Sequence, residues 1–205
     1  MRKQYEKNNT LIEQQDYGAN PKNRPQKISD IARKSVSSLR INAIYYKIIQ
    51  YTRPEVIIEL GTCLGINTLY MSHACPQARI YTMEGCSTLA GICSQNFINK
   101  NITLITGNID DTIQPLLDKL KKIDFVLIDA NHTYLATTRY FDEIASRTHQ
   151  NSVIVIDDIS WSSGMMRAWK YIKKHPKVTL NLDLFRFGIV FFNKNLSKQT
   201  VMLKY

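Results

Sequence analysis

No apolar run in the chain approaches the roughly 20 residues that a membrane-spanning helix needs. The first ten residues are polar, so a secretory leader is not expected, and the sequence predicts a soluble protein of the cytoplasm. Four cysteines, Cys63, Cys75, Cys86 and Cys93, form no C-x-x-C pair and have no histidine at zinc spacing. They are expected to be reduced and mostly buried. The glycine triplet G-x-G-x-x-G of dinucleotide-binding turns is missing, as are internal repeats and low-complexity tracts.

The 205 residues suffice for one α/β unit with a full core. Net charge is +10, unevenly spread. Residues 1–53 hold eleven Lys/Arg against four acids, 54–160 seven against twelve, and 161–205 nine against one. The acids thus concentrate in the middle of the chain, and the basic ends are expected to form an outer face. Such a face suits nucleic acid, an anionic small substrate, a membrane surface, or simply water. No RNA-binding module or Arg-rich arm with interleaved aromatics accompanies the charge, so solvated Lys/Arg is the favoured reading.

Strand and helix patterns alternate, as in a doubly wound sheet. Residues 1–27 are polar and turn-rich and predict a mobile arm or lid. Helical stretches open at Ser29 and run over 39–51. Strands are expected at 56–60, 79–83, 102–106, 123–129 and 152–157. Runs at 178–185 and 189–193 flank Arg186-Phe187-Gly188, a connection short enough for an antiparallel hairpin. The division expected is 1–53, an N-terminal arm and helices capping the same domain, and 54–205, the catalytic unit.

The most informative stretch is Val56-Ile57-Ile58-Glu59-Leu60-Gly61-Thr62-Cys63-Leu64-Gly65, a β-branched strand leading through two glycines into a helix. Such glycines let backbone approach a ligand at the helix start. A second acid, Glu84, ends the next strand nineteen residues after Gly65, where a carboxylate can accept both hydroxyls of a ribose. Glu59 before the first glycine would repel a pyrophosphate, but it suits a ligand carrying an ammonium and a sulfonium.

This E-L-G-x-x-x-G turn resembles motif I of class I S-adenosylmethionine-dependent methyltransferases, in the form found in catechol-type and related bacterial O-methyltransferases. The resemblance implies a Rossmann-like, doubly wound seven-stranded sheet of order 3-2-1-4-5-7-6, with an antiparallel last strand and helices on both faces. It also implies S-adenosylmethionine held by Glu59, Gly61, Thr62, Gly65, Asn67, Glu84, Gly85, Ile109, Asp110 and Asp129. Asn67 stands where the family usually has serine, and Asp110 or Asp111 reads equally well as a helix cap.

In catechol-type enzymes an acid after the fourth strand and an Asp-Asn pair after the fifth hold magnesium or a similar divalent ion. Asp129, Asp157 and Asp158 match that pattern, with Asp158 replacing the asparagine. His132 lies three positions after Asp129, where those enzymes carry a lysine that deprotonates the acceptor. With an ordinary pKa near neutrality, histidine can do the same work, so His132 and Asp129 are the catalytic candidates. Trp161, Met165, Met166 and Trp169 read equally as a wall for a flat acceptor or as the buried face of a helix. The function expected is methylation of an oxygen on a small molecule. RNA or protein methylation, and cofactor binding without transfer, stay open, as does a homodimer.

Overall fold

In the computed structural model, residues 1–15, 17, 24–98 and 101–204 are described. In chain order the elements are α1 (Arg2–Tyr5), β1 (Leu11–Gln14), β2 (Arg24–Lys27), α2 (Ile28–Lys34), α3 (Leu39–Thr52), β3 (Val56–Leu60) and α4 (Ile66–Ala74). Then come β4 (Arg79–Glu84), α5 (Ser87–Ser94), β5 (Ile102–Thr106), α6 (Ile109–Leu117), β6 (Ile123–Ile128) and α7 (Tyr134–Ala145). The chain closes with β7 (Thr148–Ile156), α8 (Ser163–Lys174), β8 (Leu180–Asp183), β9 (Gly188–Phe191) and β10 (Gln199–Met202).

The main sheet runs β5-β4-β3-β6-β7-β9-β8-β10. The strands β5, β4, β3, β6 and β7 are mutually parallel, and β9 is antiparallel to both β7 and β8. Renumbered from β3, this is the expected order 3-2-1-4-5-7-6. An eighth strand extends it, because β10 adds to the edge parallel to β8. The tail that forms β10 is short and polar, and no hydrophobic alternation announced it.

Alternation along the central strands explains the two layers. Val56, Ile58 and Leu60 pack toward Ile113, Leu117, Tyr140, Phe141 and Trp169 of α6, α7 and α8. Ile57 turns the other way, toward Ile41, Tyr45 and Ile49 of α3 and Met71 of α4. Every residue of β3 is buried, as a strand covered on both faces requires. Several helices start on side-chain caps: Ser38 accepts the Ile41 N–H, Thr133 that of Ala136, and Ser162 that of Met165. Among the described residues no helix is long and apolar enough to cross a membrane.

The N-terminal region departs from the expected arm. β1 and β2 pair antiparallel, and Tyr5, Ile12 and Ile28 are buried with Leu64, Cys86 and Leu89. A few apolar anchors in a polar sequence thus fix the ribbon beside the glycine turn. Residues 16–23 of the predicted turn, Tyr17 apart, lie outside the described residues. The four cysteines are free, with Cys75, Cys86 and Cys93 buried.

One acid sits inside this core. Glu59 shares the parity of Ile57 on β3 and is fully buried. Its Oε2 accepts the hydroxyls of Thr68 on α4 (2.5 Å) and Thr82 on β4 (2.6 Å), while Oε1 has no partner. Burial pushes the carboxyl up to about 7 from its ordinary 4.5; the two hydroxyls oppose the rise and Glu84 adds to it. The folded state therefore holds this proton more tightly than the unfolded chain. Stability from this group is fully present below pH 4.5 and is lost as pH rises toward 7. Relative to Glu59→Gln, the native protein should lose about 3 kcal/mol across that window in urea-unfolding measurements. A difference that stays flat with pH would contradict the assignment.

Candidate active site

A cavity of about 400 Å³ opens at the carboxyl ends of the parallel strands. This is the position that doubly wound sheets use for ligands. Its floor is the turn after β3. Gly61 and Gly65 have φ of 98° and 74°, a conformation that side chains disfavour. A Cβ on Gly61 would also lie 2.2 Å from the Asp129 carbonyl oxygen, so β3 and the loop after β6 touch backbone to backbone there. Cys63, with φ of 51°, continues the turn and points its N–H at Glu84 Oε2 (2.7 Å).

Glu84 ends β4 with its other oxygen accepting the Cys86 N–H at 2.9 Å. The acid thus fastens the first turn to the second while lining the cavity. Thr62 bridges to Thr82 at 2.5 Å, and its residue also borders the cavity. Gly85 lies under Tyr17, whose ring comes within 2.7 Å of where a Cβ would be. Asn67, in the first turn of α4, directs Nδ2 to Ser37 Oγ and Asp129 Oδ2, each at 3.4 Å. Its Oδ1 is buried without a partner.

Two residues expected to hold the cofactor lie off the cavity wall. Glu59 does not border the cavity, because strand parity sends it into the α4 face, where the two threonines bind it. Ile109 borders the cavity but Asp110 does not. Asp110 accepts the Tyr140 hydroxyl (2.5 Å) and pairs with Arg139 on α7. Neither Asp110 nor Asp111 caps α6; Asn108 does, accepting the Asp110 N–H at 3.2 Å, and it lies on the cavity wall.

The acids after β6 and β7 lie close to one another, but only Asp129 and Asp158 border the cavity. Asp157 is 1 % exposed and lies off the cavity wall. Its Oδ2 accepts the Ser37 hydroxyl at 3.3 Å, and its Oδ1 accepts the Asp158 N–H at 2.8 Å. Asp158 has φ of 52°, which turns its side chain back to the cavity. Asp129, His132 and Asp158 instead form the cluster, with one donor atom each within 4.8 Å of the others. His132 Nε2 lies 3.7 Å from Asp129 Oδ1 and 4.0 Å from Asp158 Oδ2. Burial first, then Asp157 and Asp158, pushes the Asp129 carboxyl well above the usual carboxylate range.

Arg186 was legible only as part of a hairpin, yet its side chain borders the cavity. Its Nε lies 3.6 Å from Asp157 Oδ1 and 3.5 Å from Asp158 Oδ1. Burial works against its charge, but Asp157, Asp158 and Asp129 hold it protonated. Ser37 and Tyr17 were also missed, since no motif marks either.

A second, more open hollow shares His132 and Trp161 with the first and continues to Tyr134 and Arg167. The rings of His132 and Trp161 lie 5.9 Å apart. The Trp/Met segment divides between its two readings. Trp161 borders both hollows, whereas Met165 and Trp169 are core residues, and the Trp169 indole N–H donates to Asp183 Oδ2 at 2.7 Å.

Known proteins resemble this chain in sequence and fold. A family of methyltransferase domains matches residues 58–159. A protein of Mycobacterium tuberculosis, named as a probable O-methyltransferase, is 28% identical over 118 residues, 52% of this chain and 50% of that protein. The chain thus spans about half the length of the curated relative it matches. Among solved structures, an O-methyltransferase of Bacillus cereus in complex with S-adenosylhomocysteine superposes with a TM-score of 0.67 at 20% identity. It aligns over 77% of this chain and 83% of its own. The O-methyltransferase TomG of Streptomyces achromogenes, in complex with S-adenosylmethionine, gives 0.67 at 17% identity over 78% and 82%. Residues 58–159 thus match a methyltransferase-domain family, and the sheet that surrounds them has the fold of the solved O-methyltransferases.

Proposed function

We propose that this protein is an S-adenosylmethionine-dependent methyltransferase that methylates an oxygen of a small molecule by direct in-line transfer. The observation that carries the reading is one cavity wall shared by Gly61, Glu84, Asn67, Asp129 and His132. The cofactor's fit rests on the bare backbone at Gly61 and on the unpartnered buried oxygen of Asn67, which a polar ligand would satisfy. The two solved relatives named above hold this ligand or its demethylated form. When bound, it supplies an electrophilic methyl group on sulfur. In this reading residues 54–205 form the catalytic unit and 1–53 cap it.

The chain's own residues do the rest. Glu84 accepts ribose hydroxyls while the two backbone amides keep it in place. His132, a quarter exposed and facing both hollows, takes the proton from the acceptor hydroxyl at Nε2. Asp158, 4.0 Å from Nε2, supplies the negative charge beside the imidazolium that results. The His132 backbone, with φ of 42° and its N–H bonded to the Ala130 carbonyl at 2.7 Å, fixes where that ring starts. Trp161 borders both hollows and offers an apolar ring to the acceptor.

The divalent ion of catechol-type enzymes does not fit these residues. Asp157, one of its three expected donors, spends its oxygens on Ser37, the Asp158 N–H and Arg186. His132 takes its place in the cluster, and an imidazole is a poor ligand for magnesium. No step of the transfer is assigned to a metal.

Calorimetric titration with S-adenosylhomocysteine should give micromolar binding that EDTA leaves unchanged, and absence of binding would end the proposal. Once an acceptor is found, His132→Ala should lower kcat by about 10²–10⁴-fold with the S-adenosylhomocysteine affinity retained. Full turnover in that variant would remove His132 from the mechanism.

A further inference from the structure

We propose that the Arg186 guanidinium supplies, from within the chain, the positive charge that a divalent cation would otherwise bring to these acids. The proposal rests on the reading of this cluster as the acceptor side of a transferase site, although its test requires no turnover. A single group bridges both neighbours: Nε lies 3.6 Å from Asp157 Oδ1 and 3.5 Å from Asp158 Oδ1. Asp157 is almost wholly buried, and an ionised carboxyl there needs a partner charge.

The backbone that carries the guanidinium is held in place. Ile159 donates its N–H to the Arg186 carbonyl (2.9 Å), Ser160 its hydroxyl to the Phe185 carbonyl (2.6 Å), and Arg186 its N–H to the Leu184 carbonyl (2.7 Å). The β8–β9 turn is thereby laced to the loop after β7, which carries the two aspartates. Asp158 is consequently split between two tasks, with Oδ1 facing Arg186 and Oδ2 facing His132. A doubly charged ion at Asp158 would lie within a few ångströms of the guanidinium and be repelled. A chelated vicinal diol then has no seat, and the acceptor presents a single hydroxyl to His132. Arg186 is a positioning residue: it acts on the acceptor through Asp158 and His132.

The test is a Mn²⁺ titration followed by electron paramagnetic resonance on the full chain, with S-adenosylhomocysteine binding measured in parallel. Arg186→Met should bind Mn²⁺ at least about tenfold more tightly than the native protein. Arg186→Lys, which restores the charge, should return to native weakness, and Asp158→Asn added to Arg186→Met should abolish the gain. Native binding as tight as that of Arg186→Met, or a lysine variant that binds like the methionine one, overturns the proposal. Should Arg186→Met not fold, the native protein decides alone. Binding tighter than about 0.1 mM that Asp158→Asn removes overturns the proposal, and weaker binding upholds it. Failure to bind S-adenosylhomocysteine would strike the functional reading without touching the manganese result.

Discussion

Repulsion among carboxylates is the constraint around which the site is arranged. Glu59, Glu84, Asp129, Asp157 and Asp158 all lie at or just beyond the ends of four neighbouring parallel strands. Parallel packing brings those ends side by side, so the charges cannot be left to solvent screening. Each is answered differently. Glu59 is pushed toward its neutral form by burial, against the pull of the two threonine hydroxyls. Glu84 is clasped by backbone N–H groups. Asp157 takes Ser37, Arg186 and its neighbour's amide. Asp129 and Asp158 are left to flank the histidine.

Two of those partners, Ser37 and Arg186, come from outside the acid-rich middle of the chain. Ser37 precedes α3, 120 positions before Asp157, and Arg186 comes from the hairpin that adds the antiparallel strand. The basic excess of the two ends is therefore not only an outer face: one of its members reaches inward. Backbone geometry follows the same concentration of function. Among the described residues six non-glycine positions have positive φ, and Cys63, Asn131, His132 and Asp158 all border the cavity.

Much of this was readable in the sequence, because it depends on local pattern. The two glycines, the β-branched runs and the hairpin are short-range signals, and the seven-strand order followed from the family resemblance. What failed depends on direction in space. Glu59 and Glu84 both end apolar runs and share one face of the sheet, yet Glu84 stands two residues further along, at the tip, where it meets the cavity while Glu59 stays under α4. Asp157 and Asp158 are adjacent in sequence, yet only Asp158, turned by its positive φ, reaches the cavity while Asp157 stays buried. Arg186 has no local signature, since its meaning lies in acids 28 and 29 positions earlier. The N-terminal ribbon misled for a related reason: three or four apolar side chains suffice to anchor a segment whose average composition is polar.

Tyr17 has a consequence for that ribbon. Its ring rests on Gly85 and forms part of the cavity wall, while β1, just before it, belongs to the ribbon that packs against α5. A ligand touching the ring shares its free energy with the seating of that segment. By thermodynamic reciprocity, whatever secures the ribbon strengthens the ligand by the same factor. For a ligand of the proposed kind, the N-terminal segment is thus a component of the affinity, and its sequence a place to set affinity without altering any residue of the glycine turn.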